Sequence, residues 1–139
     1  MKKSFFLLLI LVGIFLISCK CHNCELPPNY NTISLGFQQT YQNDDFILKF
    51  DSVLNDSRCP SDGECFWAGN AEVKLIYVDR YFITERRIIL NTLGGNNFRN
   101  DTTIGNINIK LVELSPYPVS IEAISQENYA AKILLTPIN

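Results

Sequence analysis

Ala71-Glu72-Val73-Lys74-Leu75-Ile76-Tyr77 sets Ala71, Val73, Leu75 and Tyr77 in strict alternation with Glu72, Lys74 and Ile76. Successive side chains of an extended chain point to opposite faces, so this spacing gives one apolar face and one that carries the charges. A helix would scatter the same residues around its circumference. The stretch reads as a half-buried antiparallel strand. The same period recurs on both sides of it. Ile33, Leu35 and Phe37 alternate with Ser34 and Gly36; Phe46, Leu48 and Phe50 with Ile47, Lys49 and Asp51. Ile107, Ile109 and Leu111 alternate with Asn108 and Lys110; Val119, Ile121 and Ala123 with Ser120 and Glu122. Tyr81–Leu90 and Ala130–Thr136 are rich in Ile, Leu, Phe and Tyr and complete the set. Turn signals separate the runs at Gln42-Asn43-Asp44-Asp45, Gly94-Gly95-Asn96-Asn97, Gly105-Asn106 and Pro116-Tyr117-Pro118. The fold expected for residues 31–139 is all-β: an antiparallel β-sandwich, Ig-like or open-barrel-like, of about seven short strands.

Ahead of this domain the chain changes character. Lys2 and Lys3 precede an apolar run from Phe5 to Ile17, too short at about 1.5 Å per residue to cross a bilayer of about 30 Å. The run reads as the apolar core of a signal peptide over residues 1–18. Leu16-Ile17-Ser18-Cys19 resembles the lipobox of bacterial lipoproteins. That resemblance implies lipidation of Cys19 and a mature chain that begins there, held on membrane lipid by several acyl chains. Lys20, rather than an Asp, follows the cysteine, which favours the outer membrane over retention at the inner one. Residues 19–30 read as a tether, stiffened by Pro27-Pro28.

Loss of Lys2 and Lys3 with the signal takes the Lys and Arg count from 12 to 10 against 14 Asp and Glu, a net charge of −4. No run of like charge exceeds two residues, so nucleic-acid binding is excluded as a function. Beyond Cys19 there are four cysteines, Cys21, Cys24, Cys59 and Cys65, an even number suited to an oxidising compartment. Of the three pairings, Cys59–Cys65 closes the short loop and is favoured; Cys21 and Cys24 then form a possible second disulfide or stay reduced.

The segment from Asp56 to Leu75 carries the densest pattern. Pro60 and Gly63 suit a tight loop between Cys59 and Cys65, and Ala68-Gly69 permits close backbone approach just before a strand. Trp67 is the only Trp and is expected to plug the core at one sandwich end. Arg58 is expected to hold loop carbonyls or a buried carboxylate through its planar fork, with a ligand-facing role as the alternative. Ser57, Arg58, Cys59, Pro60, Cys65, Trp67, Ala68, Gly69, Ala71, Val73 and Leu75 resemble a family of uncharacterised exported bacterial proteins, often lipoproteins, with the pattern Ser-Arg-Cys-Pro…Cys-x-Trp-Ala-Gly. Pro116-Tyr117-Pro118 and Tyr129 match its later positions. The resemblance implies a fold and an exported location, and brings no activity with it.

Catalytic constellations are not evident. His22 is the only histidine, which rules out a His-bearing triad within the domain. Cys21, His22 and Cys24 could offer ligands to zinc or copper, and Cys21-His22-Asn23-Cys24 has thioredoxin-type spacing. They sit on a tether, with no fourth ligand and no helix following, so both readings are weaker than an incidental disulfide. Asp44, Asp45, Asp51, Asp56, Asp62 and Glu64 fall in turns and on exposed strand faces, where solvated charge is the default. Asp51-Ser52-Val53 and Asp101-Thr102-Thr103 resemble the Asp-Ser/Thr-apolar sites that some Bacteroidota O-glycosylate.

The function expected is therefore a non-enzymatic binding or structural domain, tethered to membrane lipid through Cys19 and directed at an envelope protein, with no cofactor. An inhibitor that presents Ser61, Asp62 and Glu64 to an envelope protease or lysozyme is the alternative. A metal or thiol-redox protein using Cys21, His22 and Cys24 comes third.

Overall fold

Alternation is strictest in β4, Ala71–Asp79, where Ala71, Val73, Leu75 and Tyr77 are all buried. The computed structural model describes residues 30–95 and 97–138. The expected signal peptide (1–18), Cys19, Cys21, His22, Cys24 and all but the last residue of the expected tether (19–30) lie outside the described residues.

Eight strands are formed: β1 (Asn31–Gly36), β2 (Thr40–Gln42), β3 (Phe46–Asp56), β4, β5 (Thr84–Asn91), β6 (Asp101–Ile104), β7 (Ile107–Ser115) and β8 (Ala130–Pro137). They pair into two antiparallel four-stranded sheets, β1-β8-β7-β6 and β2-β3-β4-β5. The fold is the expected β-sandwich. Leu48, Phe50, Leu75 and Leu90 from one sheet meet Ile109 and Ile133 from the other, all fully buried. Each such side chain contributes about 1.5–3 kcal/mol of hydrophobic stabilisation.

Parity of the alternation changes where the ladder slips. In β3 the inward set runs Phe46, Leu48, Phe50 and then, past a register shift between Phe50 and Ser52, Val53. In β7 it runs Ile109, Leu111 and, past a shift between Leu111 and Glu113, Leu114. An extra residue on one strand bends it and turns the following side chains to the other face.

The structure departs from expectation in three places. Val119, Ile121 and Ala123 form no strand; they lie in an irregular loop, with Val119 and Ile121 exposed. Pro116 and Pro118 have no N–H to give a ladder, and the loop's carbonyls are taken by donors outside either sheet. Tyr81, Phe82 and Ile83 are a hairpin tip rather than the start of a strand. The short strands β2 and β6 were not expected from periodicity, being too brief to show one. Asp51-Ser52-Val53 lies within β3 and Asp101-Thr102-Thr103 lies within β6.

The strands run between two distinct ends. At the disulfide end are Gly36, Asp56, Ala71, Ser115 and Ala130. At the hairpin end are Asn31, Phe46, Asp79, Thr84, Ile107 and Pro137.

Candidate functional site

Beyond β3 the chain runs from Ser57 through the Cys59–Cys65 disulfide to Gly69 before entering β4. Two backbone hydrogen bonds hold its base: Ser57 N–H donates to the Asn70 carbonyl (2.7 Å) and Cys59 N–H to the Ala68 carbonyl (2.9 Å). The side chain that turns inward between them is Arg58. It is buried, 8% exposed, and its guanidinium is shared among three partners. Nε donates to Asp56 Oδ1 (2.8 Å) and Nη2 to Asp56 Oδ2 (2.6 Å), a bidentate fork. Nη1 donates to the Leu114 carbonyl (2.6 Å) and Nη2 also to the Pro116 carbonyl (2.9 Å). The Tyr117 ring covers the guanidinium carbon, 5.1 Å from its centroid. The Tyr129 hydroxyl completes the Asp56 shell by donating to Oδ2 (2.9 Å).

These contacts set the charges. Burial works against the Asp56 carboxylate, but donation from the Arg58 side chain and backbone, and from Tyr129, outweighs it and holds its pKa below the ordinary carboxylate value. The Tyr129 phenol is pushed up to about 12, by burial first and by its bond to the Asp56 carboxylate second. Asp56 is thus the exception among the acids expected in solvated positions. Asp51 is held low chiefly by the hydrogen bond from Lys74, whose Nζ lies 2.9 Å away.

Arg58 ties the disulfide loop to a second loop, residues 116–125. That second loop is also gripped from the other side. Ser61 N–H donates to the Pro118 carbonyl (3.0 Å) and Asp62 N–H to the Val119 carbonyl (3.1 Å). Its far end is clamped by Gln126, which accepts from Val53 N–H (2.9 Å) and donates to the Val53 carbonyl (2.8 Å). Between loop and sheet lies a cleft of about 490 Å³, bordered by Val53, Asp56, Arg58, Pro118, Ile121 and Gln126. Neither Gln126 nor the buried pair Asn70 and Asn91, joined at 2.6 Å beneath the loop base, was expected. Isolated amides, whether in a loop or at the end of a strand as Asn91 is, carry no periodic signal that would have found them.

Held firmly at their bases, the two loops turn large apolar side chains to solvent. Trp67 is 75% exposed, and Phe66 beside it is fully exposed. The expectation that Trp67 plugs the core is therefore overturned. The inward position at this end is taken by Arg58, whose charge is matched by Asp56, and by Tyr129. Tyr117, Val119 and Ile121 are exposed on the neighbouring loop. Ser61, Asp62 and Glu64 form the exposed tip of the disulfide loop, while Pro60 is half-buried beneath it.

The Cys59–Cys65 bond expected from spacing is present, with a Cα–Cα distance of 6.0 Å. A loop this short gives about 2 kcal/mol of closure entropy. Cys59→Ala paired with Cys65→Ala should therefore lower stability in urea by about 2 kcal/mol and leave a cooperative transition, because the core does not depend on the loop. Loss of the transition altogether would show that the loop is needed to fold. Among the described residues no cluster of His, Cys, Asp or Glu is arranged to hold a metal ion, and no helix is long and apolar enough to cross a membrane.

No protein-family model, curated protein or solved structure matches the chain.

Proposed function

We propose that this is a bacterial envelope lipoprotein of the Ser-Arg-Cys-Pro…Cys-x-Trp-Ala-Gly family, acylated at Cys19, whose sandwich binds an envelope protein without catalysing a reaction. The observation that carries the binding half is the exposure of Phe66, Trp67, Tyr117, Val119 and Ile121 at one end of the fold. Trp and Tyr are the residues that most often dominate interface energies. Loops already fixed by a disulfide and by Arg58 lose little freedom on binding. The polar groups that gather at this end, Asp56, Arg58 and Tyr129, are engaged with one another and with backbone carbonyls, which suits a scaffold more than a proton-transfer site. Membrane lipid is the second partner, through Cys19, and the sequence after that cysteine favours the outer membrane.

In-cell crosslinking of the native lipoprotein should recover one reproducible envelope protein. Trp67→Ala should cut that yield with a loss of about 2 kcal/mol in affinity, roughly 30-fold, while leaving the urea midpoint in place. Unchanged capture by Trp67→Ala would remove the proposed surface. A stoichiometric protease or lysozyme as the captured protein would favour the inhibitor reading through Ser61, Asp62 and Glu64. Bound metal or thiol turnover by the purified protein would defeat the non-enzymatic reading. For the anchor, Cys19→Ser should leave the membrane fraction after a high-salt wash, and its retention there would rule out acylation as the anchor.

A further inference from the structure

The hairpin end carries an apolar feature of its own. Tyr81, Phe82 and Ile83, at the tip between β4 and β5, are 75, 81 and 84% exposed. Hairpin turns ordinarily take Gly, Asn or Asp, so three consecutive large apolar side chains are unfavourable there in water. Ile83 adds backbone strain: a β-branched residue at φ +50°, where Gly or Asn would sit at far less penalty. Strain and exposure coincide at one tip, a pattern associated with function.

The tip is also held in shape. Asp79 Oδ1 accepts from the N–H groups of Tyr81 (2.8 Å) and Phe82 (3.0 Å). Arg80 N–H donates to the Asp45 carbonyl (3.0 Å) and its Nη1 to the Asn43 carbonyl (2.7 Å). The three side chains are presented by a braced turn, so little ordering accompanies their burial.

Topology supplies the direction. β1 begins at this same end, with Asn31 opposite Leu135, and Asn31 Nδ2 donates to the Tyr41 hydroxyl (3.2 Å). Tyr41 meets Phe46 at 6.0 Å between ring centroids, and Phe46 stacks on Tyr77 at 5.2 Å, two residues before Asp79. Tyr81 and Phe82 border a cleft with Gly105 and Asn106, and the Asn106 carbonyl accepts from Ile138 N–H (2.7 Å). The chain from Cys19 thus enters the sandwich at the end where the tip projects. Tyr30 lies 11 residues after Cys19, a reach of at most about 40 Å.

We propose that the Tyr81-Phe82-Ile83 tip seats in the lipid–water interface of the membrane that holds Cys19, turning the disulfide end away from that membrane. The inference rests on the acylation reading above. Tyr and Phe suit the headgroup boundary, where an apolar ring and a polar edge are both accommodated. Three side chains alone bind weakly, but a short tether raises their effective concentration at the surface to the millimolar range. The charges around the tip, Arg80, Arg86 and Arg87 against Asp44, Asp45, Asp79 and Glu85, nearly balance. Seating is therefore apolar, independent of anionic lipid and insensitive to salt.

The test uses the full lipidated chain reconstituted in phosphatidylcholine vesicles with or without brominated acyl chains. In the natural chain Trp67 is the only indole and sits at the opposite end, so its emission should be the same in both vesicles. Phe82→Trp in a Trp67→Phe background should instead lose emission about threefold in the brominated vesicles, at low and high salt alike. Tyr81→Trp in the same background is the second variant; both positions are exposed, so neither burdens the fold. Protein that floats with the vesicles but keeps full emission at both positions overturns the seating and leaves the anchor intact. Protein that fails to float overturns the anchor, and the seating with it. Quenching of Trp67 in the natural chain would place the disulfide end on lipid and overturn the proposal.

Discussion

Arg58→Met should lower the stability of the sandwich by about 3–5 kcal/mol, read as a fall in the urea midpoint at unchanged slope. Met keeps much of the packing volume and deletes the charge. The Asp56 carboxylate then stays in a site where its side chain is 10% exposed, with only the Tyr129 hydroxyl and the backbone N–H of residue 58 (3.2 Å) as donors. The carbonyls of Leu114 and Pro116 lose their donor as well. Breaking one partner of a buried pair is far more damaging than the pair is stabilising, because the remaining charge has no water to return to. Arg58→Lys should recover only part of the loss, since an ammonium cannot fork onto Asp56 and reach both carbonyls together. A loss below about 1 kcal/mol in Arg58→Met would mean that water fills the vacated site and that the two loops are held by other contacts.

The same network predicts the pH profile. Asp56 has a depressed pKa in the folded protein, so its contribution is present above the unfolded value of about 4 and fades as pH falls through the folded one. Tyr129 is raised, so its contribution is whole below the unfolded value of about 10 and is lost as pH climbs towards about 12. Stability should therefore fall on both flanks. In Arg58→Met the acid flank should flatten, because a carboxyl without its guanidinium no longer prefers to stay charged.

Gly69→Ala should be the most damaging single-atom change, costing about 2–5 kcal/mol. Gly69 sits at φ +70°, and a Cβ there would overlap the Ser57 carbonyl and lie 2.8 Å from Arg58 Cα. Backbone must give way on one side. It is held by Ser57 N–H and Ser57 Oγ, both donating to the Asn70 carbonyl, and by Cys59 N–H on Ala68. Gly105→Ala provides the comparison. Its φ is +58° but a Cβ meets nothing within 4 Å, so only the left-handed penalty of about 1–2 kcal/mol applies. The difference between the two variants in urea isolates the overlap. Equal losses would show that the approach of the two backbones is not what requires glycine. The proximity of this step to Trp67 gives a further readout: Gly69→Ala should shift the emission of the exposed indole, and Gly105→Ala should not.

The strand alternation of Ala71–Tyr77, Phe46–Phe50 and Ile107–Leu111 was legible in the sequence because it is local: burial of every second side chain needs no knowledge of the partner strand. The Cys59–Cys65 bond was legible for a related reason, since a short loop brings its own ends together. Spacing and composition likewise drew attention to Arg58 and Gly69. Only the tertiary structure decided what each of them touches. The carbonyls that Arg58 binds belong to Leu114 and Pro116, 56 and 58 residues further along, and nothing in the local pattern names them. For the same reason Trp67 could not be placed from composition. An indole is large and apolar, but the inward position at that end was already filled by a guanidinium whose charge a neighbouring carboxylate matches. Val119, Ile121 and Ala123 alternate as a strand does, yet two prolines and donors from another loop deny them a ladder. The arrival of the chain at the same end as Tyr81, Phe82 and Ile83 follows from which strands pair with β8, a choice made by the packing of two whole sheets. Periodicity fixes which face of a strand is buried; only the assembled fold fixes which loops share an end, because that depends on contacts between residues far apart in the chain.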